Sequence, residues 1–452
     1  MPSPNPLKVF TLLNCLAPRC LAETEETPAP KRRRRIYATP IVICLMIYQR
    51  LQKGCSQSAA VTWLCQHRSE LWPEGTGCKR VEQATISCQT GAYCQARQKL
   101  PTLVCSRLLD QLSETIQTLL PPPPGGRRVV VIDGTTLRLT HAPELVQAYP
   151  PGGNQHGENH WPTLRVVAFH DAHSGLATRP SWGPMYGKHA VSEQHLALAA
   201  LEHVPRDAVV MADANFGIFH FAFHVLHSGR PVLFRLTKAR AQKMLGGKVN
   251  KPLHRAINWT PSAHERRAHP DLPEQAAVKG WVIVCRHPQN RKQKLYLFTT
   301  LAEKPKPMLA LYKQRWNIET DLRHLKRTVH LHELTGKSKA MIEKELLIGV
   351  ASYNLVRAVM GVAAAKAGLV PRQLSFANTL AGLQALPWID PSRPAADYQH
   401  HIEMLLAGIL QTRLPHRSAP RSYPRLVWGR GASFPSHSAA LRPAENGPGE
   451  QV

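Results

Sequence analysis

The sequence predicts a mixed α/β core behind a helical amino-terminal segment, and three observations carry that reading. Pro121–Pro124, followed by Gly125 and Gly126, cannot continue a helix and divides the chain. Before this hinge, apolar residues recur at helical spacing. After it, short β-branched runs alternate with helical ones, the pattern of a sheet with helices packed on its faces.

Taken in order, Ile41–Lys53 reads as a helix opening at Pro40, Ser58–Cys65 as a second, and Val104–Leu120 as a third that ends at the hinge. Arg128–Asp133 is a strand ending at a carboxylate, Thr163–His170 another strand, and Gly175–Trp182 a candidate third. Val191–His203 reads as a helix, Ala208–Asp213 as a second strand ending at a carboxylate, Gly217–Ser228 as a helix and Pro231–Thr237 as a strand. Residues 238–294 are basic, interrupted by Pro and poorly periodic except at the strand Trp281–Cys285. One long helix is expected over 308–329 and another over Ala340–Ala365. Beyond about Pro415 the composition (Pro, Ser, Arg) is that of a disordered tail.

Composition narrows the function classes. With 57 Lys+Arg against 30 Asp+Glu in 452 residues, the net charge is +27, which suits a polyanion, and nucleic acid first of all. No uninterrupted apolar run approaches the roughly 20 residues of a membrane span; Ile41–Ile47 is the longest considered. Lys8 with Val9–Leu13 reads as a short amphipathic helix rather than a signal peptide, because Lys31–Arg35 follows closely. The cysteines show no C-x-x-C spacing and are expected to be thiols in a reducing cytosol, with the protein at the nucleoid. The 23 His are expected to form no metal site, and His170-Asp-Ala-His173 reads as turn chemistry. Charge is unevenly spread. Residues 241–300 hold 11 basic and 3 acidic side chains, whereas residues 121–240 hold 11 and 8. The acids of a metal site are therefore expected in the latter block.

Asp133 in Val-Val-Val-Ile-Asp-Gly and Asp213 in Val-Val-Met-Ala-Asp-Ala-Asn each follow a hydrophobic strand, at the edge of an open sheet where ligands bind. Asp171 also ends a strand but has no helix to face, and reads as a turn residue. The third element is Tyr312-x2-Arg315-x3-Glu319-x6-Lys326. On an ideal helix these four side chains share an arc of about 60°, beside an apolar stripe of Leu311, Ile318, Leu322, Leu325 and Val329. Asp321 points about 200° away from Glu319 on the same projection, so Glu319 is taken as the third carboxylate. Three carboxylates without Cys or His form a hard oxygen site suited to Mg²⁺, with Mn²⁺ as substitute. Two such ions about 3.5–4 Å apart are a known arrangement for in-line displacement at a phosphodiester. Arg315 and Lys326 fit as phosphate clamps and Tyr312 as a hydrogen-bond donor.

That spacing, with Trp316 after the arginine, resembles the signature of IS4-family bacterial DDE transposases. Ile132–Thr136, Thr90–Arg97, Lys344-Glu-Leu-Leu and Tyr353–Arg357 add to the similarity, which spans about residues 35 to 360. The resemblance implies an RNase H-like mixed-sheet core with a β-rich insertion before the catalytic Glu, preceded by a helical DNA-binding domain. Asp133, Asp213 and Glu319 take the catalytic metal-binding positions, and Tyr312, Arg315 and Lys326 those that contact terminal phosphates. The implied partners are transposon-end inverted repeats and target DNA, in a synaptic complex bridged by a homodimer. Two departures stand out. Ala-Asn-Phe follows Asp213 where many relatives carry Arg-Tyr or Arg-Glu. Leu295, beside Tyr296, occupies the place of an insertion-domain Trp that holds a flipped base, leaving Tyr296, Trp281 and Trp259 as aromatic candidates that equally read as core.

The expected organisation is a helical DNA-binding domain over 1–120, a catalytic core over 127–237 and 301–365, a basic insertion over 238–300, a helical segment over 366–414 and a tail over 415–452. The insertion is expected beside the active site as a β-containing flap, with Trp281–Cys285 and Leu295–Thr300 paired and Arg291, Lys292 and Lys294 on a DNA-contacting tip. Two other functions fit the same residues: a catalytically silent, transposase-derived DNA-binding protein, and an RNase H-like nuclease.

Overall fold

The computed structural model describes residues 36–66, 79–122, 126–155, 157–249, 251–286, 293–385 and 395–415. Val9–Leu13, the basic arm Lys31–Arg35, the tip residues Arg291 and Lys292, and the tail after residue 415 lie outside the described residues. Helix α1 (Thr39–Leu51) begins at Pro40, whose missing N–H costs nothing in a first turn, and buries every residue of Ile41–Ile47. A helix apolar on all sides must be enclosed. It is followed by α2 (Gln57–Gln66), α3 (Lys79–Glu82), α4 (Gly91–Lys99) and α5 (Thr102–Leu119).

Past the hinge come β1 (Val129–Arg138), α6 (Pro143–Ala148), β2 (Gly153–Asn154), β3 (Gly157–Glu158), β4 (Thr163–Asp171), β5 (Ser181–Pro184) and α7 (Glu193–Ala200). Then β6 (Val209–Ala212), α8 (Phe219–His227), β7 (Val232–Arg235), α9 (Lys238–Leu245), β8 (Leu253–Trp259), α10 (Ala263–Ala268), β9 (Val278–Arg286) and β10 (Lys294–Thr299) follow. The chain continues through α11 (Pro305–Lys313), α12 (Asn317–Arg323), α13 (Lys339–Lys366), α14 (Phe376–Ala385) and α15 (Ala395–Gln411).

One eight-stranded mixed sheet runs in the order β5-β4-β1-β6-β7-β10-β9-β8. β4 is antiparallel to β1, and β6 and β7 are parallel to it. β10 then turns antiparallel against β7 and carries β9 and β8 with it, so the basic region contributes three strands to the same sheet. The pairing of Trp281–Cys285 with Leu295–Thr299 is as expected from sequence. β8 and α9 were not legible there. β8 is an edge strand whose side chains are mostly exposed, so it has no alternating apolar face to read.

Strand parity sorts the core. Val130 and Ile132 of β1 face one side, with Phe219, Phe221 and Val225 of α8 and Leu196 of α7. Val129 and Val131 face the other, with Met211, Met308, Tyr312 and Ile318. A third cluster joins α1, α5 and α13. α13 is long and apolar enough to cross a membrane by length and composition, yet its apolar stretch is wholly buried in the protein. Lys344, Glu345, Asn354 and Arg357 interrupt that stretch, which is why no single apolar run marks it in the sequence.

Candidate active site

β1 does not end at Asp133, as the sequence suggested, but continues to Arg138 along β4, where Asp133 lies opposite Ala168. Its pairing with β6 stops at Val131 opposite Met211. From Asp133 onward β1 is therefore paired on one edge only, and the open edge faces the loop that carries Asp213. Asp133 has the parity of Val129 and Val131, so it projects to the face covered by α11 and α12. The strand end inferred from the sequence was in fact the end of one ladder.

Asp213 begins a fixed loop. Its Oδ1 accepts the Asn215 N–H at 2.9 Å, an Asx-turn, and the Arg240 guanidinium holds the carbonyls of Ala214 (3.3 Å) and Gly217 (2.6 Å). Asn215 donates to Glu193 Oε2 at 2.6 Å and accepts from Gln194, tying the loop to the start of α7. Phe216 is buried in the core. This is how Ala-Asn-Phe is used here. A Cβ on Gly134 would overlap the Glu193 carboxylate, so β1 and α7 approach closely beside Asp133 only because residue 134 is glycine.

The helix expected over 308–329 is broken. α11 passes through a 3₁₀ turn at Gln314–Trp316 into α12, and the last turn, His324–Thr328, is a π-helix. The 3₁₀ turn advances each residue further around the axis and the π turn less far, so an ideal 100° projection holds only approximately. Tyr312 and Arg315 are buried rather than standing at the rim, whereas Glu319 is exposed. The Tyr312 hydroxyl is buried against the Arg315 guanidinium, and Arg315 Nε has no hydrogen-bond partner among the described residues. Arg315 sits 5.1 Å from the ring centroid of the exposed Trp316 and reaches Glu319 at 3.9 Å. Lys326 lies further along, among Arg138 and Arg327. Burial and these two cations lower its pKa.

Asp133 feels the charge of Asp213. Burial pushes the Asp133 carboxyl up to about 6. The Gly134 N–H and the Arg315 charge pull it down, and Asp213 and Glu193 push it further up. Burial raises Tyr312 to about 12, against the opposing charges of Arg315 and Arg235. The oxygens of Asp133, Asp213 and Glu319 do not all approach within 4.8 Å of one another; Glu319 leans toward Arg315 instead. The donor set is nevertheless all oxygen, and two mutually repelling carboxylates are what a hard divalent cation neutralises. Asp133 and Asp213 are of the chemistry such an ion would take, and Glu319 is the exposed carboxylate on α12 over the same face. Glu193 and Arg235 were missed in the sequence, because one opens a helix, the other closes a strand, and neither carries a motif of its own.

The remaining motifs serve the frame. Asp321 is fully buried against Arg357 and Arg372, the latter at 2.7 Å. Burial alone would raise its pKa, but the two arginines hold it below the usual range. Glu345 pairs with Arg50 (3.1 Å) and Arg97 (2.6 Å), welding α1 and α4 to α13. The Tyr353 hydroxyl donates to Gly175 O at 2.7 Å, and the Asn354 amide brackets Ala177 as a neighbouring strand would. Asp171 is a turn residue, as expected: its Oδ1 accepts from His173 N, Ser174 N and Ser174 Oγ. Trp259 and Tyr296 are core side chains, and Lys294 donates to Val249 O at 2.6 Å.

The family model described as Transposase DDE domain matches residues 124–355, just over half the chain, from the hinge before β1 into α13. Transposase InsG for insertion sequence element IS4, from Escherichia coli (strain K12), is 25% identical over 358 residues, covering 76% of this chain and 78% of that protein. Among solved structures, a cryo-EM structure of a piggyBac transposase synaptic complex with hairpin DNA superposes with a TM-score of 0.45 at 10% identity, over 93% of this chain and 87% of that one. The matched segment contains Asp133, Asp213 and Glu319, and with it the chain belongs to the Transposase DDE domain family as an IS4-family DDE transposase.

Proposed function

We propose that Asp133, Asp213 and Glu319 are the catalytic carboxylates of a cut-and-paste DNA transposase acting on the inverted repeats of its own element. One observation carries the reading: two strand-edge aspartates close enough to raise each other's charge cost share a face with the buried Tyr312–Arg315 pair, whose Arg315 Nε has no hydrogen-bond partner among the described residues. A buried donor left unpaired is costly, and a phosphate oxygen beside the aspartates would satisfy it. The strand order β5-β4-β1-β6-β7, with its antiparallel and parallel halves, supports an RNase H-like core. The helices over 1–120 are read as the end-binding domain, and a homodimer as the unit that bridges two ends.

In this mechanism Arg315 and Lys326 hold the phosphates flanking the scissile bond, and Tyr312 donates to one of their oxygens. Arg291, Lys292 and Lys294 contact the backbone nearby. Asp133, Asp213 and Glu319 would hold two Mg²⁺ ions, which when bound supply Lewis-acid activation of the attacking hydroxyl and of the leaving oxygen. Asn215 and Arg240 keep the Asp213 loop fixed, so little reorganisation is needed when DNA arrives.

The test is an assay of duplexes bearing the element's terminal repeats with the wild-type protein and with Asp133→Asn, each with and without Mg²⁺. Metal-dependent cleavage and joining by the wild type, with binding alone by the variant, is the expected result. Cleavage without joining would mark a nuclease. Binding without cleavage by the wild type would mark a silent DNA-binding protein.

A further inference from the structure

A second group of ligating side chains lies on the opposite face of the sheet from Asp133. His220 and His224 stand one turn apart on α8, and Asp271 faces both from the segment between α10 and β9. His220 Nε2 is 3.6 Å and His224 Nε2 3.4 Å from the same oxygen, Asp271 Oδ2. These ligand atoms all lie within 4.8 Å of one another. His269 stacks on His220 with ring centroids 3.6 Å apart. The His-x3-His spacing is visible in the sequence but was passed over there, because its third member lies 47 residues after His224.

We infer that His220, His224 and Asp271 form a site for a late divalent transition metal, Zn²⁺ above all, that fastens the basic insertion to α8. The distances carry the argument. They are longer than the 2.7–3.2 Å typical of a well-formed N–H···O hydrogen bond, although Asp271 pairs with both imidazoles, and His224 Nε2 is buried with no hydrogen-bond partner among the described residues. They match the edge of a tetrahedron of ligands about 2.0–2.2 Å from zinc, which is about 3.3–3.6 Å. Two imidazoles with one carboxylate suit zinc and exclude Mg²⁺ as the preferred ion. The fourth position is open to water or, after a ring rotation, to His269.

The site is held from both sides. The Glu265 carboxylate accepts from Phe219 N at the start of α8 and closes the capping box with Ser262. Leu272, the neighbour of Asp271, is buried against the sheet, and its N–H donates to His269 O.

The experiment uses the full-length protein stripped by a chelator and titrated with Zn²⁺ against a competing indicator. Wild type and Asp133→Asn should each bind one equivalent that excess Mg²⁺ does not displace. His224→Gln and the exposed, fold-neutral Asp271→Asn should each lose that equivalent or bind it at least about tenfold more weakly. Zinc should also protect residues 260–277 from limited proteolysis in the wild type and not in Asp271→Asn. Equal zinc binding by wild type and Asp271→Asn, or none by the wild type, overturns the inference.

Discussion

Glu319 and Asp321 stand two residues apart on α12, and the protein treats them oppositely. Asp321 is sealed in the interior between Arg357 and Arg372, so its charge is spent on joining α12 to α13 and to the segment before α14. Glu319 is exposed and has one distant cation, Arg315, at 3.9 Å. The same contrast separates the rim of the sheet, where Asp133 and Asp213 repel each other, from the Glu345 node, where two arginines neutralise one carboxylate. Fully paired charges here build the frame. Under-paired charges at the sheet edge are kept for a ligand, at some cost in stability.

The sharpest way to break this comparison is Glu319→Gln. It should reduce end cleavage to background while changing unfolding free energy by no more than about 0.5 kcal/mol, the usual range for an exposed position. Cleavage near the wild-type rate would remove Glu319 from the site. Asp321→Asn should do the reverse at the level of folding, costing on the order of 3–5 kcal/mol in denaturant unfolding, because two buried arginines lose their counter-charge. A cost below about 1 kcal/mol would show that the node is not what holds α12.

Acid should distinguish the two regions as well. Burial lowers His170, beside the Asp321 node, to about 4, with Asp321 opposing the shift and Arg357 and Arg372 adding to it. Its folded pKa is below the unfolded value of about 6.5, so protonation favours the unfolded chain. Its contribution is complete above that value and is lost as pH falls from about 6.5 to about 4, by on the order of 3–4 kcal/mol. Unfolding of wild type and His170→Gln across that window measures it, and an identical pH slope in both would refute the assignment. The smallest effects belong to the rim. Lys326→Ala should reduce the salt slope of end binding by about one phosphate contact. Tyr312→Phe should weaken the end complex by about 0.5–1.5 kcal/mol, on the order of one hydrogen bond.

Much of the site was legible because its chemistry is local. Asp133 and Asp213 each follow a run of buried β-branched or small residues, and Tyr312, Arg315, Glu319 and Lys326 share one helical segment. The dismissal of Asp321 by helical phase also agrees with its burial. What the sequence hid is long-range or irregular. Glu193 and Asn215 matter through a contact across 22 residues, and a 3₁₀ turn and a π turn inside one apolar repeat leave no periodic mark. β8 was hidden because an exposed edge strand has no apolar face, and His220, His224 and Asp271 because only the fold brings the third ligand back.

The weld between Arg97 and Glu345 spans 248 residues, and this sets a timetable for synthesis. At about 5–20 residues per second, α1 and α4 leave the ribosome roughly 10–50 s before α13 exists to receive them. Through that interval the wholly apolar Ile41–Ile47 segment has α2, α4 and α5 to pack on but lacks α13, which completes its enclosure. A nascent chain therefore keeps part of α1 exposed until α13 emerges. A chain released early is left with an amino-terminal helix sheltered on one side only.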